Sequence, residues 1–261
     1  MSNPKILTLD IETFGLVVET WGIWEQTITP EQIIKDWCIA SWAAKWLDDP
    51  PEKIMYMDNR DRKDPRNDEQ IVRGMHKLLN EADVIVTQNG KSFDIKRLNA
   101  RFAFYDLTPT APFKHFDTKQ VAKNKFGFTS NSLKHLCEYL HVKYKKSDHE
   151  EFPGRELWRQ CEAKNLKAWK VMEEYNKLDV LATEEIYKKL EPWDKSLNLA
   201  IFSDLQGVVC NCGSKRFHSR GTVKTTAGSY RRFQCQDCGT WTKGKLERLT
   251  KEQRDNIRRK I

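Results

Sequence analysis

Asp10 and Glu12 stand two residues apart on the short apolar segment Lys5 to Thr13, read as KILTLDIET. Side chains at i and i+2 point to the same side of a strand, so Leu7, Leu9 and Ile11 can face a core while Asp10 and Glu12 share the opposite face. Two like charges held that close repel, and a metal ion bound through hard oxygen ligands is the usual relief. Two further acids stand where a fold can bring them to the same spot. Asp94 follows the apolar run Asp83 to Thr87 and the turn Gln88, Asn89, Gly90, where a strand gives way to a helix. Such turns lie at the carboxyl end of a parallel strand, where open α/β sheets place their ligands. Asp179 sits in a long helical stretch one turn beyond Tyr175, so the two side chains emerge on nearly the same face.

A second set of ligand-type residues lies toward the C-terminus. Cys210, Cys212, Cys235 and Cys238 are spaced C-x-C, then 22 residues, then C-x-x-C. This resembles a zinc ribbon, in which two knuckles hold one tetrahedral Zn²⁺ that substitutes for a core too small to fold alone. The first knuckle is one residue shorter than usual, which leaves His218 as the alternative to Cys210 or Cys212. Lys215, Arg216, Arg220, Lys224, Arg231 and Arg232 lie between the knuckles, with Tyr230, Phe233 and Trp241 interleaved. Cations contact phosphates and aromatic rings stack on bases, so nucleic acid is the expected partner of this segment. A ribbon that docks on a protein, such as a replication or repair factor, is the competing expectation.

The elements that must position these groups can be read from periodicity and turn signals. After the first strand, Phe14 to Thr29 is rich in Gly and Trp and reads as a loop or lid. Its tryptophans either stack on bases or pack in the core, the second being the commoner use of Trp. Trp37 to Leu47 and Lys53 to Met57 read as strands, giving three consecutive antiparallel strands with the first. A helix follows with Ile71, Met75, Leu78 and Leu79 on its apolar face, then the strand Asp83 to Thr87 and a helix from Phe93 to Phe104. A fifth strand is expected at Phe113 to Phe116, and helices at Thr118 to Lys125 and Ser132 to His141. The longest helix runs from Leu166 to Leu190, with Val171, Tyr175, Leu178, Ala182 and Ile186 as its inward stripe. A last helix is expected from Thr250, where Gln253 completes a capping box. The boundary between domains falls near Ser196 to Gln206, giving a body of residues 1–195 and a small domain of 196–261.

Composition narrows the function classes. The chain has 261 residues, 39% of them hydrophobic and 31% charged, and no apolar run approaches the roughly 20 residues that span a bilayer. The N-terminus lacks the pattern of a secretory signal. Seven cysteines, an odd number with four gathered in the last quarter, argue against a disulfide framework and for a reducing, cytoplasmic setting. From Ser196 onward 14 Lys and Arg stand against 5 Asp and Glu, a net of +9, while the remaining 31 against 32 give −1. The positive charge, a footprint of polyanion binding, therefore belongs to the C-terminal domain alone.

Three separated segments resemble the three motifs of the DEDD superfamily of 3'-5' exonucleases, which share a ribonuclease H-like fold. LDIET at Leu9 to Thr13 is similar to the first motif, QNGKSFD at Gln88 to Asp94 to the second, and YNKLD at Tyr175 to Asp179 to the third. His115 to Thr118 and the stretch SLKHLCEYL from Ser132 also resemble this family, and the likeness covers about residues 5 to 190. One subclass carries His five positions before the last Asp, where this chain has Glu174. The other carries Tyr four before it, which here is Tyr175, as in polymerase proofreading domains. No polymerase body is present, so the resemblance is to a free-standing exonuclease.

That resemblance implies an α/β fold, a mixed five-stranded sheet flanked by helices, with the zinc ribbon appended. It implies two Mg²⁺ or Mn²⁺ ions, with Asp10 bridging both, Glu12 and Asp179 completing one site and Asp94 helping to hold the second. Tyr175 would orient the attacking water, and Thr13 and Asn89 would reach the nucleic acid. Hydrolysis of a phosphodiester by a pair of divalent ions suits such a carboxylate set. The expected activity is a two-metal 3'-5' exonuclease on single-stranded DNA. The alternatives are a structure-specific endonuclease on the same fold, or a nucleic-acid-binding and recruiting factor.

Overall fold

The computed structural model describes residues 4–47, 49–144, 149–202, 208–225 and 228–247. The helix expected from Thr250 lies outside the described residues, as does part of the expected boundary between Ser196 and Gln206. Two compact units are distinguished, Lys5–Leu190 and a second that begins at Glu191.

The first unit runs β1 (Ile6–Phe14), β2 (Val17–Val18), β3 (Ile33–Lys35), β4 (Cys38–Trp46), β5 (Met55–Asp58), α1 (Glu69–Glu81), β6 (Val84–Thr87), α2 (Asp94–Phe104), β7 (Lys114–Asp117), α3 (Thr118–Lys125), α4 (Leu133–Tyr139), α5 (Glu156–Glu162) and α6 (Leu166–Leu190). Its sheet has the order β5-β4-β1-β6-β7. β4 is antiparallel to β1 and to β5, while β6 runs parallel to β1 and β7 parallel to β6. The mixed α/β architecture expected from the sequence is present. The short antiparallel pair β2 and β3 interrupts the expected run of three consecutive strands.

Apolar residues cover both faces of the sheet. Leu7, Leu9 and Ile11 of β1 pack with Ile39, Trp42 and Ala44 of β4 and with Ile71, Met75 and Leu79 of α1, which makes the larger core. On the other face Phe14, Cys38 and Ala40 pack with Leu157 and Cys161 of α5 and Trp169, Met172 and Tyr175 of α6. Burying one such large side chain contributes on the order of 1.5–3 kcal/mol. The even-numbered side of β1 is thus covered by α5 and α6, so Asp10 and Glu12 lie between sheet and helices.

Two expectations need correcting. The buried stripe of α6 contains Tyr175, Ala182 and Ile186, as expected, together with Ala168, Trp169, Met172, Asn176, Asp179, Val180, Thr183 and Glu184, whereas Val171 and Leu178 are only half-buried. Asn176, Asp179, Thr183 and Glu184 put polar groups into this buried stripe. The tryptophans of the loop after β1 are not core residues: Trp21 is fully exposed and Trp24 is 80% exposed. Cys38, Cys137 and Cys161 are buried thiols, as expected, and burial pushes those of Cys38 and Cys161 up to about 12.

Candidate active site

A β-bulge shapes the acidic end of β1. Glu12 pairs with Ser41 and Thr13 with Ile39, so Ala40 is an extra residue on β4. The extra residue puts Ala40 in the α5–α6 core and leaves Ser41 facing α6 as well. Asp10 and Glu12 are half-buried and Asp179 is buried. One carboxylate oxygen from each of the three lies within 4.8 Å of the others. Like charges at that spacing destabilise one another, and a cation among them reverses the sign of the interaction. The donor set is all carboxylate oxygen, which fits a hard divalent ion such as Mg²⁺ or Mn²⁺.

Asp94 reaches the same strand by a different route and is not a member of that cluster of three. It is the first residue of α2, and its Oδ1 accepts the Ile11 N–H at 3.2 Å, the amide between the two acids of β1. Burial pushes its carboxyl up to about 7, against the hydrogen bonds from its own N–H and that of Ile11, and the Asp117 charge adds to the rise. The turn before it is held tightly. Asp117, ending β7, accepts the N–H groups of Asn89 and Lys91, both at 3.0 Å, and caps α3 at Gln120. Gly90 must be glycine, since a Cβ there would lie 2.6 Å from the Thr87 Cβ. Asn89 adopts φ of +74° at this turn and is half-buried, as is Thr13 beside the bulge.

Two side chains that the sequence did not single out hold the acids, and a third, His149, packs on Tyr175. Asn176 is fully buried; its Nδ2 donates to Asp10 Oδ2 at 2.7 Å and to the Asp10 carbonyl at 3.3 Å, and its Oδ1 accepts the Ser41 hydroxyl at 3.1 Å. Trp158 on α5 donates its indole N–H to Glu12 Oε2 at 3.1 Å. The Tyr175 ring meets His149 and Trp158 edge-on, with centroids 5.3 and 6.1 Å away. Asn176 had a signal, since it lies three residues before Asp179 and so on the same helical face. Trp158 had none, because α5 is a seven-residue helix with no periodicity to detect.

The model of the RNase_H superfamily matches residues 38–191. This chain belongs to the RNase H superfamily. The matched span contains Asp94, Tyr175 and Asp179, while Asp10 and Glu12 lie before it. A family B DNA polymerase from the hyperthermophilic archaeon Pyrobaculum calidifontis is similar in structure, with a TM-score of 0.48 and 17% identity over 74% of this chain and 26% of the polymerase. The chain therefore spans about a quarter of that polymerase. No curated protein sequence matches the chain. No helix among the described residues of this superfamily member is long and apolar enough to cross a membrane.

Beyond the matched span, the second unit carries an antiparallel sheet of order β10-β9-β8, formed by β8 (Phe217–Thr225), β9 (Gly228–Cys235) and β10 (Trp241–Glu247). The sulfurs of Cys210, Cys212, Cys235 and Cys238 lie within 4.8 Å of one another, with Cys210 to Cys238 at 3.6 Å and Cys212 to Cys235 at 3.7 Å. Four sulfurs each 2.3 Å from one centre sit about 3.8 Å apart, so the spacing fits a tetrahedral zinc site. The two knuckles close alike despite their different lengths. Gly213 N–H meets the Cys210 carbonyl at 2.8 Å and Gly239 N–H meets that of Cys235 at 3.1 Å, with positive φ at both glycines. Burial pushes the Cys235 thiol up, but hydrogen bonds from the Cys238 backbone and the Ser214 and Cys238 side chains bring it down to about 7. His218 is exposed on β8 and stands outside the group.

Lys215, Arg216, Arg220, Lys224, Arg231 and Arg232 are all exposed. Strand register sorts the neighbouring aromatics. Arg232 pairs with Lys243 across β9 and β10, and Trp241 with Gln234, so these four share a face. Arg232 lies over the Trp241 ring at 4.6 Å and Lys243 over Tyr230 at 4.8 Å. Phe233 points the other way, onto Phe217 at 6.1 Å.

Proposed function

We propose that this nuclease-superfamily member is a metal-dependent 3'-5' exonuclease of the tyrosine subclass, acting on single-stranded DNA. The observation that carries this reading is the meeting of Asp10 and Glu12 from β1 with Asp179 from α6, their carboxylate oxygens within 4.8 Å and Tyr175 one turn earlier on the same helix. Asp10, Glu12 and Asp179 would hold divalent ions, with Asp94 assisting from beneath the strand. When bound, the ions supply Lewis acidity and offset the charge that builds on the phosphate during hydrolysis. The side chains prepare that site. Asn176 fixes Asp10 and Trp158 fixes Glu12, so neither carboxylate must give up rotamer freedom when a cation arrives. Tyr175, buried and braced by the His149 and Trp158 rings, serves as a hydrogen-bonding group for the attacking water; a phenol of ordinary pKa about 10 is a poor base.

In this reading residues 1–195 form the nuclease body and 196–261 a ribbon holding one Zn²⁺. The ribbon's basic residues, Lys215, Arg216, Arg220, Lys224, Arg231 and Arg232, contact phosphates, while Thr13 and Asn89 approach the strand near the acids. The ribbon is also the surface open to a replication or repair protein.

The experiment is to incubate the protein with Mg²⁺ or Mn²⁺ and 5'-labelled single-stranded DNA, duplex DNA and RNA. The expected product is a ladder shortening from the 3' end, fastest on single-stranded DNA, and lost in Asp10→Ala. Internal cuts would instead make it an endonuclease. Binding without any cleavage would make it a recruiting factor.

A further inference from the structure

The hairpin that joins β1 to β4 is clamped at its stem and bare at its tip. β2 and β3 pair Val17 with Lys35 and Val18 with Ile33, and the Glu19 N–H extends the ladder to the Gln32 carbonyl at 2.9 Å. Gln32 ties the stem again, donating to the Glu19 carbonyl at 3.0 Å and accepting the Thr29 N–H at 2.9 Å. Arg66 grips both legs, donating to the Gly15 carbonyl at 3.0 Å and the Asp36 carbonyl at 2.7 Å. The same guanidinium forks onto Glu162 of α5 at 2.6 and 3.1 Å. The stem is thereby fixed to the helix that also carries Trp158.

At the tip, Trp21 is 103% exposed, Ile23 84% and Trp24 80%. The tip is nonetheless a formed turn, in which Gly22 N–H meets the Thr20 hydroxyl at 3.1 Å and Gln26 donates to the Trp24 carbonyl at 2.9 Å. Three large apolar side chains held out in water on a rigid stem mark a recognition surface.

Position and charge select what that surface takes. One leg leaves directly after Glu12, Thr13 and Phe14, and the other enters β4 three residues before Ser41, the partner of Glu12 across the ladder. Both feet therefore stand at the carboxylate cluster. The hairpin carries Glu19, Glu25, Glu31 and Asp36 against Lys35, so it repels phosphates. A nucleobase is neutral, and its π-face stacks on an indole whatever the sequence. We propose that Trp21 and Trp24 stack on unpaired bases of the strand whose phosphodiester lies at the cluster, which makes the hairpin the element that favours single strands over duplex. This rests on the nuclease reading above for the strand's location.

The test compares wild type with the double variant Trp21→Ala, Trp24→Ala by fluorescence anisotropy and by 3' shortening. Two single-stranded oligonucleotides are used, one normal and one abasic over its last six residues. Stacking predicts that the variant weakens binding and raises KM for the normal oligonucleotide by roughly tenfold for each base released, with little penalty on the abasic one. Trp21→Phe, Trp24→Phe should restore most of the loss, and the circular dichroism spectrum should not change. Equal affinity of wild type and Ala variant for the normal oligonucleotide, or an equal penalty on both, overturns the proposal. Failure of the nuclease reading shows separately, as wild-type protein that shortens neither oligonucleotide, while the anisotropy comparison still decides the stacking.

Discussion

Replacing Asn176 with Asp changes one atom group, the Nδ2 that donates to both the carboxylate and the carbonyl of Asp10. The Ser41 hydroxyl can still donate to the remaining oxygen, but the Nδ2 that now lies 2.7 Å from Asp10 Oδ2 becomes a second carboxylate oxygen. Charge centres about 4 Å apart, at an effective dielectric of about 20, repel by about 4 kcal/mol, equivalent to about 3 pH units. The loss of a hydrogen bond to a charged group adds about 1.5–3 kcal/mol in the same direction. Part of the total is relieved by the cation that the site attracts, so a rise of about 1–3 units in the acid limb of the kcat/KM profile is expected. The sign follows from linkage: a carboxylate pair that resists its second ionisation must lose a proton before a cation enters, so activity is lost at low pH and recovered as pH rises. Asn176→Ala, which removes the donor without adding charge, should slow hydrolysis by about 10- to 100-fold with little movement of the limb. The assay is oligonucleotide shortening from pH 5 to 9 at saturating Mg²⁺, with a magnesium titration at each pH. An Asp variant with the wild-type acid limb and magnesium requirement would refute the assignment of Asn176 as the group that sets Asp10.

Three other outcomes are expected. Asp94 has its carboxyl raised to about 7 by burial, so its contribution to stability is full below its ordinary value and is lost as pH rises through the raised one. Asp94→Asn should therefore melt higher than wild type at pH 8 without divalent ions and no higher at pH 3.5, and Mg²⁺ should close the gap at pH 8; a metal-free variant that melts lower at pH 8 contradicts this. Metal analysis should find one Zn²⁺ per chain, lost in Cys212→Ala and retained in His218→Ala; the reverse pattern would reassign the ligand. Lys45 is buried with its ammonium on Glu184 Oε2 at 2.8 Å and on the carbonyls of Trp46 and Asp49 at 2.9 and 2.6 Å. Lys188 still pairs with Glu184 Oε1 at 2.6 Å, so Lys45→Met should cost about 1–3 kcal/mol in urea unfolding, and adding Glu184→Leu should recover part of it.

Much of the framework was legible because it depends on local pattern. The alternation in Leu7 to Glu12 sets which side chains share a face, and any strand geometry would enforce it. The helix Leu166–Leu190 fell where its periodicity put it, because a long amphipathic segment leaves few alternatives. At the hairpin tip the sequence leaves two uses of Trp open and favours the core for a physical reason: Trp is buried far more often than not, and composition cannot tell a tryptophan that finds a pocket from one held away from any. Trp158 was missed because a seven-residue helix leaves no period, and its role depends on an indole N–H meeting a carboxylate 146 residues earlier.

By itself the sequence determined residue types and local geometry: two acids on one side of β1, Tyr175 and Asp179 a turn apart, four cysteines in two pairs, and a basic C-terminal segment. Tertiary structure alone decided which of these meet. It gathered Asp10, Glu12 and Asp179 while leaving Asp94 joined to them through the Ile11 amide, and it drew both cysteines of the short knuckle to one centre. It turned Asn176 onto Asp10 and left Trp21 and Trp24 bare. Periodicity fixes the direction of a side chain relative to its own backbone, whereas its partner is fixed by how separate elements pack, over distances along the chain that no local pattern records.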